Sequence, residues 1–374
     1  MKYFLIAGER SGDLHGSNLI RAIQRHDPQA EFRAWGGDLM QEAGATLTRH
    51  YRELAFMGLG EVLKNWRTVL GLMRQCRRDL TEFGPDAVVL IDYGGFNLRV
   101  ARFAKARGIR TFFYISPKVW AWNQRRAFNI KRYVDRLFVI FPFEVGFFEK
   151  YEYKVDYVGN PLFDAIAAFT PNSAFRQQHN LADKPIVALL PGSRKQEVEL
   201  ILPAMLRVIP HFPQYQFVLA GVSNLPADLY ERLLGDSQLP IVTNAAYDLL
   251  SVAYAALVTS GTATLETALF GVPQVVCYRT GFLTYEIGVR IIQVPFLSLV
   301  NLVAERAVVK ELIQRELTED NLVAELHKIT DQPDTRQAQL RGYAEIREKL
   351  GTVGASERAG GLMVRYLREP REEV

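Results

Sequence analysis

The sequence predicts a two-domain α/β protein with parallel sheets, and three observations carry that prediction. The chain has 374 residues, more than one hydrophobic core usually serves. Short apolar runs alternate with helical patterns from the first residues onward, as parallel strands covered on both faces by helices require. The same opening, a buried strand followed by a small-residue loop and a helix, occurs near residue 2 and again near residue 186. Hydrophobic content of 48% and charged content of 23% supply an ordinary core and surface.

Taken in order, Lys2–Ala7 reads as the first strand. A glycine-rich loop spans residues 8–16, and residues 18–25 form a helix with Leu19, Ile20 and Ile23 on one face. Further strands are expected over 86–91, 110–115 and 136–141, with an edge strand over 155–159. Residues 161–184 interrupt the rhythm with Pro161, Pro171 and polar residues such as Asn172 and Asn180, and read as the linker. The pattern restarts with a strand over Ile186–Leu190, the turn Pro191-Gly192-Ser193-Arg194 and a helix over 196–209. Strands over 216–220, Ile241–Thr243, 255–259 and Gln274–Tyr278 complete the second sheet. A helix over 338–350 stops at Gly351, and Ser356 N-caps a final helix over 357–367.

Several classes are disfavoured at once. Cys76 and Cys277 are too far apart in sequence for a disulfide framework or a metal-ligand spacing. No Asp-x-Asp triplet occurs and the six histidines are scattered, so no metal or other cofactor is expected. The apolar start is too short for a signal peptide and no stretch reaches membrane-span length, so a cytoplasmic location is expected. The net charge of +4 is mild, and basic residues flank apolar ones instead of forming a polar stripe, which argues against nucleic acid.

Four places carry candidate chemistry. Glu9 lies in the loop after the first strand, where ligands of doubly wound sheets sit. Asp92, at the end of a buried strand beside Gly94 and Gly95, can accept a proton from a substrate hydroxyl. Gly192, Ser193 and Arg194 join a strand to a helix N-terminus, where backbone N–H groups and a forked guanidinium favour a phosphate. Ser260, Gly261 and Thr262 repeat that logic, and Glu266, one turn into the following helix, suits ribose hydroxyls. A fifth region concerns surfaces. Over 54–80, apolar Met57, Val62, Leu63, Trp66, Val69 and Leu70 alternate with Arg67, Arg74 and other basic residues, a pattern that suits either a core-facing helix or anionic lipid.

Taken together, these blocks resemble the lipid-A-disaccharide synthase family. The resemblance spans essentially the whole chain. It rests on Ala7-Gly8-Glu9-Arg10-Ser11-Gly12-Asp13, Phe56-Met57-Gly58, Ser116-Pro117-Lys118-Val119-Trp120-Ala121-Trp122, residues 189–194 with Glu197-Val198-Glu199, Ser260-Gly261-Thr262-Ala263 and Leu299-Val300-Asn301-Leu302. The tryptophan block is the most specific of these.

The resemblance implies the GT-B architecture: two Rossmann-like domains facing a cleft, with the C-terminal helix crossing back to the first. That sets the expected domains at 1–165 together with 355–374, and 166–354. It implies an inverting transferase that uses UDP-2,3-diacylglucosamine as donor and 2,3-diacylglucosamine 1-phosphate as acceptor, without a metal. It places Asp92 first and Glu9 second as the base, Arg194 and the Ser260 turn at the diphosphate, and Asn301 in substrate handling. It also implies peripheral attachment through 54–80 to the cytoplasmic face of the inner membrane, and is compatible with a homodimer. Gly95, Arg10 and Glu305 depart from the family pattern, which commonly carries Asp, a small residue and Gly at those positions. Two other readings remain open at this stage: another UDP-sugar enzyme of the same fold, such as a different glycosyltransferase or a 2-epimerase, and a non-catalytic nucleotide-sugar or lipid-binding protein.

Overall fold

The computed structural model describes residues 1–53, 66–235 and 237–370. The chain divides into two compact units, Met1–Ala167 with Leu350–Val374, and Ala168–Lys349.

The first unit runs β1 (Lys2–Ala7), α1 (Arg10–His26), β2 (Glu31–Gly36), α2 (Asp38–Glu42), β3 (Thr46–His50), α3 (Trp66–Phe83), β4 (Ala87–Ile91), α4 (Gly94–Ala106), β5 (Arg110–Tyr114), α5 (Val119–Trp122), α6 (Arg126–Tyr133), β6 (Arg136–Val139), α7 (Pro142–Glu149), β7 (Asp156–Tyr157) and α8 (Leu162–Ala168). Its seven strands lie in the order β3-β2-β1-β4-β5-β6-β7, and every pair is parallel. β4, Ala-Val-Val-Leu-Ile, is buried at every position, as a central strand covered on both faces must be.

The second unit runs α9 (Phe175–Gln178), β8 (Ile186–Leu190), α10 (Lys195–Val208), β9 (Gln216–Gly221), α11 (Ala227–Leu234), β10 (Ile241–Thr243), α12 (Ala246–Val252), β11 (Ala253–Thr259), α13 (Thr262–Leu269), β12 (Gln274–Tyr278), α14 (Phe282–Ile291), α15 (Leu299–Ala304), β13 (Glu311–Ile313), α16 (Glu319–Asp331) and α17 (Pro333–Leu350). Its six strands, again all parallel, lie in the order β10-β9-β8-β11-β12-β13. Core side chains collect on both faces of this sheet. Val187, Leu189 and Leu257 pack under α10 and α16, and Ile186, Ala188 and Val258 pack on the other side with Leu249 and Leu250.

The last helix, α18 (Ala355–Arg368), returns to the first unit and packs on α1. Gly360 allows the close approach: a Cβ there would sit 2.9 Å from Ala22 Cβ and 3.0 Å from the Ile23 backbone nitrogen. Glu357 joins the same contact, accepting from Arg25 Nε at 2.7 Å. Asp164, not Ser356, caps this helix: its carboxylate accepts the backbone N–H groups of Gly354, Ala355 and Ser356.

Several sequence expectations need correction. Residues 8–16 are not one loop, because α1 begins at Arg10. Gly12 and Gly16 are helical and let α1 lie against its neighbours: added Cβ atoms would fall 2.9 Å from Ala7 Cβ and 2.8 Å from Met40 Cε. The stretch 161–184 holds two short helices, α8 and α9. The edge strand expected over 155–159 shortens to β7, and β2, β3 and β13 were not anticipated.

Candidate active site

Both sheets change direction next to the first strand of their unit. β1 has β2 on one side and β4 on the other, and β8 has β9 and β11. At such a switch point successive crossovers leave on opposite faces, which opens a crevice at the carboxyl ends of the two strands. Glu9 and Asp92 fall at the first of these points, and residues 192–194 and 260–262 at the second.

In the first unit, Ala7 of β1 is in register with Ile91 of β4, so the turns carrying Glu9 and Asp92 leave the sheet side by side. Gly8 is required there, because a Cβ would lie 2.5 Å from the Tyr93 ring. Glu9 is the extended residue before α1, and its exposed carboxylate accepts from Ser11 Oγ at 2.9 Å. Asp92 and Tyr93 both adopt left-handed backbone, φ 44° and 50°. Non-glycine residues pay about 1–3 kcal/mol each for such a conformation, so the surroundings must hold it.

The clamp on that turn is Asn97. It is fully buried, and its side-chain nitrogen donates to the carbonyls of Ile91 (3.2 Å) and Asp92 (2.8 Å). Asp92 N–H donates to Tyr114 O at 3.2 Å. Burial first, and then the charge of Glu9, raises the Tyr93 phenol to about 12. Its hydroxyl has no hydrogen-bond partner among the described residues.

The tryptophan block borders the same turn. A Cβ on Gly94 would lie 2.6 Å from Pro117 Cβ. Trp120 Nε1 donates to Glu144 at 3.2 Å, and the other oxygen of Glu144 accepts the N–H groups of Ile140 and Phe141. Burial pushes Glu144 up to about 7 against the pull of these donors, and the charge of Asp92 adds to the rise. Tyr93, Asn97 and Glu144 were not among the residues the sequence put forward. Asn97 has a local signal, an amide five residues after a strand-end Asp. The link from Glu144 to Trp120 has none, since it spans separate elements.

In the second unit, Leu190 of β8 pairs with Val258 of β11, so the turns 191–194 and 260–261 are neighbours. Gly192 has φ 118°, and a Cβ there would meet Glu197 Oε2 at 2.6 Å. Arg194 is the extended residue before α10. Its exposed guanidinium donates to Glu197 Oε1 at 3.0 Å, so Glu197 orients the arginine over the turn. Asn224 donates to the carbonyl of Ser193, holding that turn from the far side. Gly261 precedes α13, and no side chain caps either α10 or α13. Two uncapped helix starts, with their outward N–H groups, therefore stand side by side with Arg194.

Glu266 sits in the second turn of α13 and accepts from Tyr247 Oη at 2.9 Å; burial raises its carboxyl above the usual range. Ser260 Oγ donates to Leu297 O at 3.0 Å. Asn301 is buried at 1% exposure and its amide is fully occupied. Its oxygen accepts from Val308 and Val309 N–H, and its nitrogen donates to Val309 O and Glu311 Oε1. Glu311 in turn accepts from Leu297 N, Ser298 N and Ser298 Oγ. Asn301 thus fixes the segment that Ser260 leans on.

Of the proposed surface residues, Met57, Val62 and Leu63 lie outside the described residues, as do the side chains of Trp66 and Arg67. Val69 is turned into the core with Leu72, Met73, Cys76 and Leu80, so it does not belong to an exposed face; Leu70 and Arg74 point outward. Among the described residues, no three His, Cys, Asp or Glu side chains gather in a way that could hold a metal ion.

A family model described as lipid-A-disaccharide synthetase matches residues 3–360. The chain belongs to this family. It is 39% identical to the lipid-A-disaccharide synthase of Geobacter metallireducens, covering 99% of this chain and 98% of that one. The synthase of Syntrophus aciditrophicus is also 39% identical (98% and 97%), and that of Coxiella burnetii 36% (94% and 95%). Among solved structures, the fold is similar to the UDP-GlcNAc 2-epimerase of Neisseria meningitidis bound to UDP-GlcNAc, with a TM-score of 0.69 at 14% identity over 98% of this chain and 100% of that one. It is similar also to the glycotransferase of kitacinnamycin, with a TM-score of 0.64 at 14% identity over 97% and 98%. At that identity these two speak to fold alone, the two-unit parallel α/β architecture of GT-B enzymes.

The departure from the expected family pattern at residue 305 has a visible cost. Glu305 is the left-handed C-cap of α15, φ 59°, the position where glycine carries no Cβ penalty. Gly95, in the first turn of α4, has nothing within 4 Å of an added Cβ, so the fold leaves open space for the Asp expected there from the family resemblance.

Proposed function

We propose that this chain transfers 2,3-diacylglucosamine from its UDP derivative to the 6-hydroxyl of 2,3-diacylglucosamine 1-phosphate, giving the β(1→6) disaccharide 1-phosphate and UDP. Beyond family membership, the observation that carries the residue assignment is the pairing of each candidate set at a sheet switch point: Asp92 with Glu9, and the 192–194 turn with the 260–262 turn.

The chemistry divides between the units. Asp92 accepts the proton of the acceptor 6-hydroxyl as that oxygen bonds to the anomeric carbon of the donor. The bond from that carbon to the diphosphate breaks on the opposite face, which inverts the configuration, and UDP leaves with the electron pair. Negative charge grows on the diphosphate, where Arg194 and the N–H groups opening α10 and α13 offer fixed donors. Glu266 is assigned to the ribose hydroxyls and Asn301 to positioning. Asn97 holds Asp92 in its strained turn, and Glu9, tethered by Ser11, orients the acceptor.

The enzyme is also proposed to act as a peripheral protein on the cytoplasmic face of the inner membrane. Two observations are in keeping with this. No helix among the described residues is long and apolar enough to cross a membrane, and Leu70 and Arg74 form an outward apolar–basic pair.

The test separates chemistry from binding. Asp92→Asn should lower turnover by about 10²–10⁴-fold while leaving UDP affinity in place. Arg194→Ala should weaken UDP affinity instead. Near-normal turnover in Asp92→Asn removes Asp92 as the base, and unchanged UDP affinity in Arg194→Ala removes the arginine from the diphosphate site.

A further inference from the structure

We infer that helix α14 is the surface on which the two fatty acyl chains of the nucleotide-linked donor lie. This rests on the function proposed above and adds where the lipid part of that substrate is held.

The helix is unusual in its exposure. Phe282 is 67% exposed and Val289 58%, and Ile287, Ile291 and the adjoining Ile292 are exposed as well. Elsewhere among the described residues the exposed large apolar side chains, Leu70, Trp122, Phe128, Tyr157 and Val353, occur singly, each in a different helix, strand or loop. With 3.6 residues per turn, Phe282 and Val289 form one strip of α14, which Ile292 continues just past its end, while Ile287 and Ile291 form a second strip on the opposite side. The Glu286–Arg290 ion pair (3.7 Å) and Thr284 are the polar interruptions between them. A helix apolar on two sides calls for cover on both. Ten residues span roughly 15 Å, far short of a bilayer crossing.

The location names the occupant. β12 lies beside β11 in parallel, so α14 leaves the same carboxyl edge that carries the proposed diphosphate site. The start of α14 adjoins that site: a Cβ on Gly281 would lie 3.5 Å from Nε2 of Gln196, two residues beyond Arg194. The chain returning from α14 adjoins it too, since Leu297 O accepts from Ser260 Oγ at 3.0 Å. A ligand whose diphosphate sits at these turns has α14 as its neighbouring apolar surface. The donor carries nucleotide and acyl chains in one molecule, and its two chains match the two strips. A flat protein or bilayer surface would cover one strip and leave the other in water.

The double variant Ile287→Ser/Val289→Ser removes one anchor from each strip. Its KM and kcat would be measured with UDP-2,3-diacylglucosamine bearing long chains and with a diacetyl counterpart, beside the Kd for UDP, light scattering, and flotation on phosphatidylglycerol–phosphatidylethanolamine vesicles. The inference expects KM for the long-chain donor to rise about tenfold or more, with UDP affinity and turnover of the diacetyl donor unchanged. An equal loss on both donors overturns it. So does an unchanged long-chain KM, whether vesicle binding is lost (the bilayer covers α14) or the oligomeric state changes (a second copy covers it). A wild-type chain that binds UDP but transfers nothing from the long-chain donor overturns the functional reading itself. Normal wild-type transfer with an unaffected variant overturns this inference alone.

Discussion

Glu144 shows how one buried carboxyl ties local structure to pH. Its proton is held to about pH 7 in the folded chain, against an ordinary value of 4.5, chiefly because burial disfavours the charge. Between those values the native state binds more protons than the unfolded state, so stability falls as pH rises through the window and levels off above it. Glu144→Gln keeps an oxygen for the N–H groups of Ile140 and Phe141, gives up the Trp120 bond and no longer titrates. The stability difference should therefore move in the variant's favour by on the order of 3 kcal/mol between pH 4.5 and pH 7. Denaturant unfolding of both proteins at several pH values measures it, and a difference that stays flat across the window contradicts the assignment. At this scale the sequence exposed residue type and local spacing well: Asp92 at a strand end and Arg194 at a helix start are where the pattern put them. It did not expose partners distant in sequence. Asp13 reads as loop, yet its buried carboxylate accepts the N–H groups of Gly37, Leu39 and Met40 and so caps α2. Asn301, which the resemblance assigns to substrate handling, has its amide bonded to residues 308–311, partners that no local pattern announces.

Among elements, strands with uninterrupted apolar runs, such as β4 and β8, were legible because burial on both faces demands that composition. β3 (Thr-Leu-Thr-Arg-His) and β13 (Glu-Leu-Ile) are edge strands, short and half polar, and leave no comparable trace. α1 was read too short for a different reason. Gly12 and Gly16 resemble loop punctuation, but their lack of a side chain serves helix packing, a tertiary demand that local pattern does not carry. Helix ends give a sharper test. Glu305 holds the left-handed C-cap of α15, and its contact with Lys349 at 3.7 Å is an exposed pair worth little. Glu305→Gly should stabilise the protein by about 1 kcal/mol, seen as a higher Tm. An unchanged or lower Tm would show that the conformation costs nothing there.

For the whole molecule, the two strand–turn–helix openings visible in the sequence begin with interior strands of two parallel sheets, each beside the switch point of its sheet. The return of α18 to α1 was legible only through family resemblance, because Gly360 and Glu357 carry no periodic signal of their partner. The division of labour proposed here gives the first unit the acceptor and its base, and the second the nucleotide, with the donor's acyl chains along α14. The most direct measurement is transfer by the purified protein from UDP-2,3-diacylglucosamine to 2,3-diacylglucosamine 1-phosphate, in detergent with EDTA and read by mass spectrometry. The account predicts disaccharide 1-phosphate and UDP in equal amounts, at a rate EDTA does not change. Release of UDP without disaccharide, or conversion of the UDP-sugar to its 2-epimer, would contradict it.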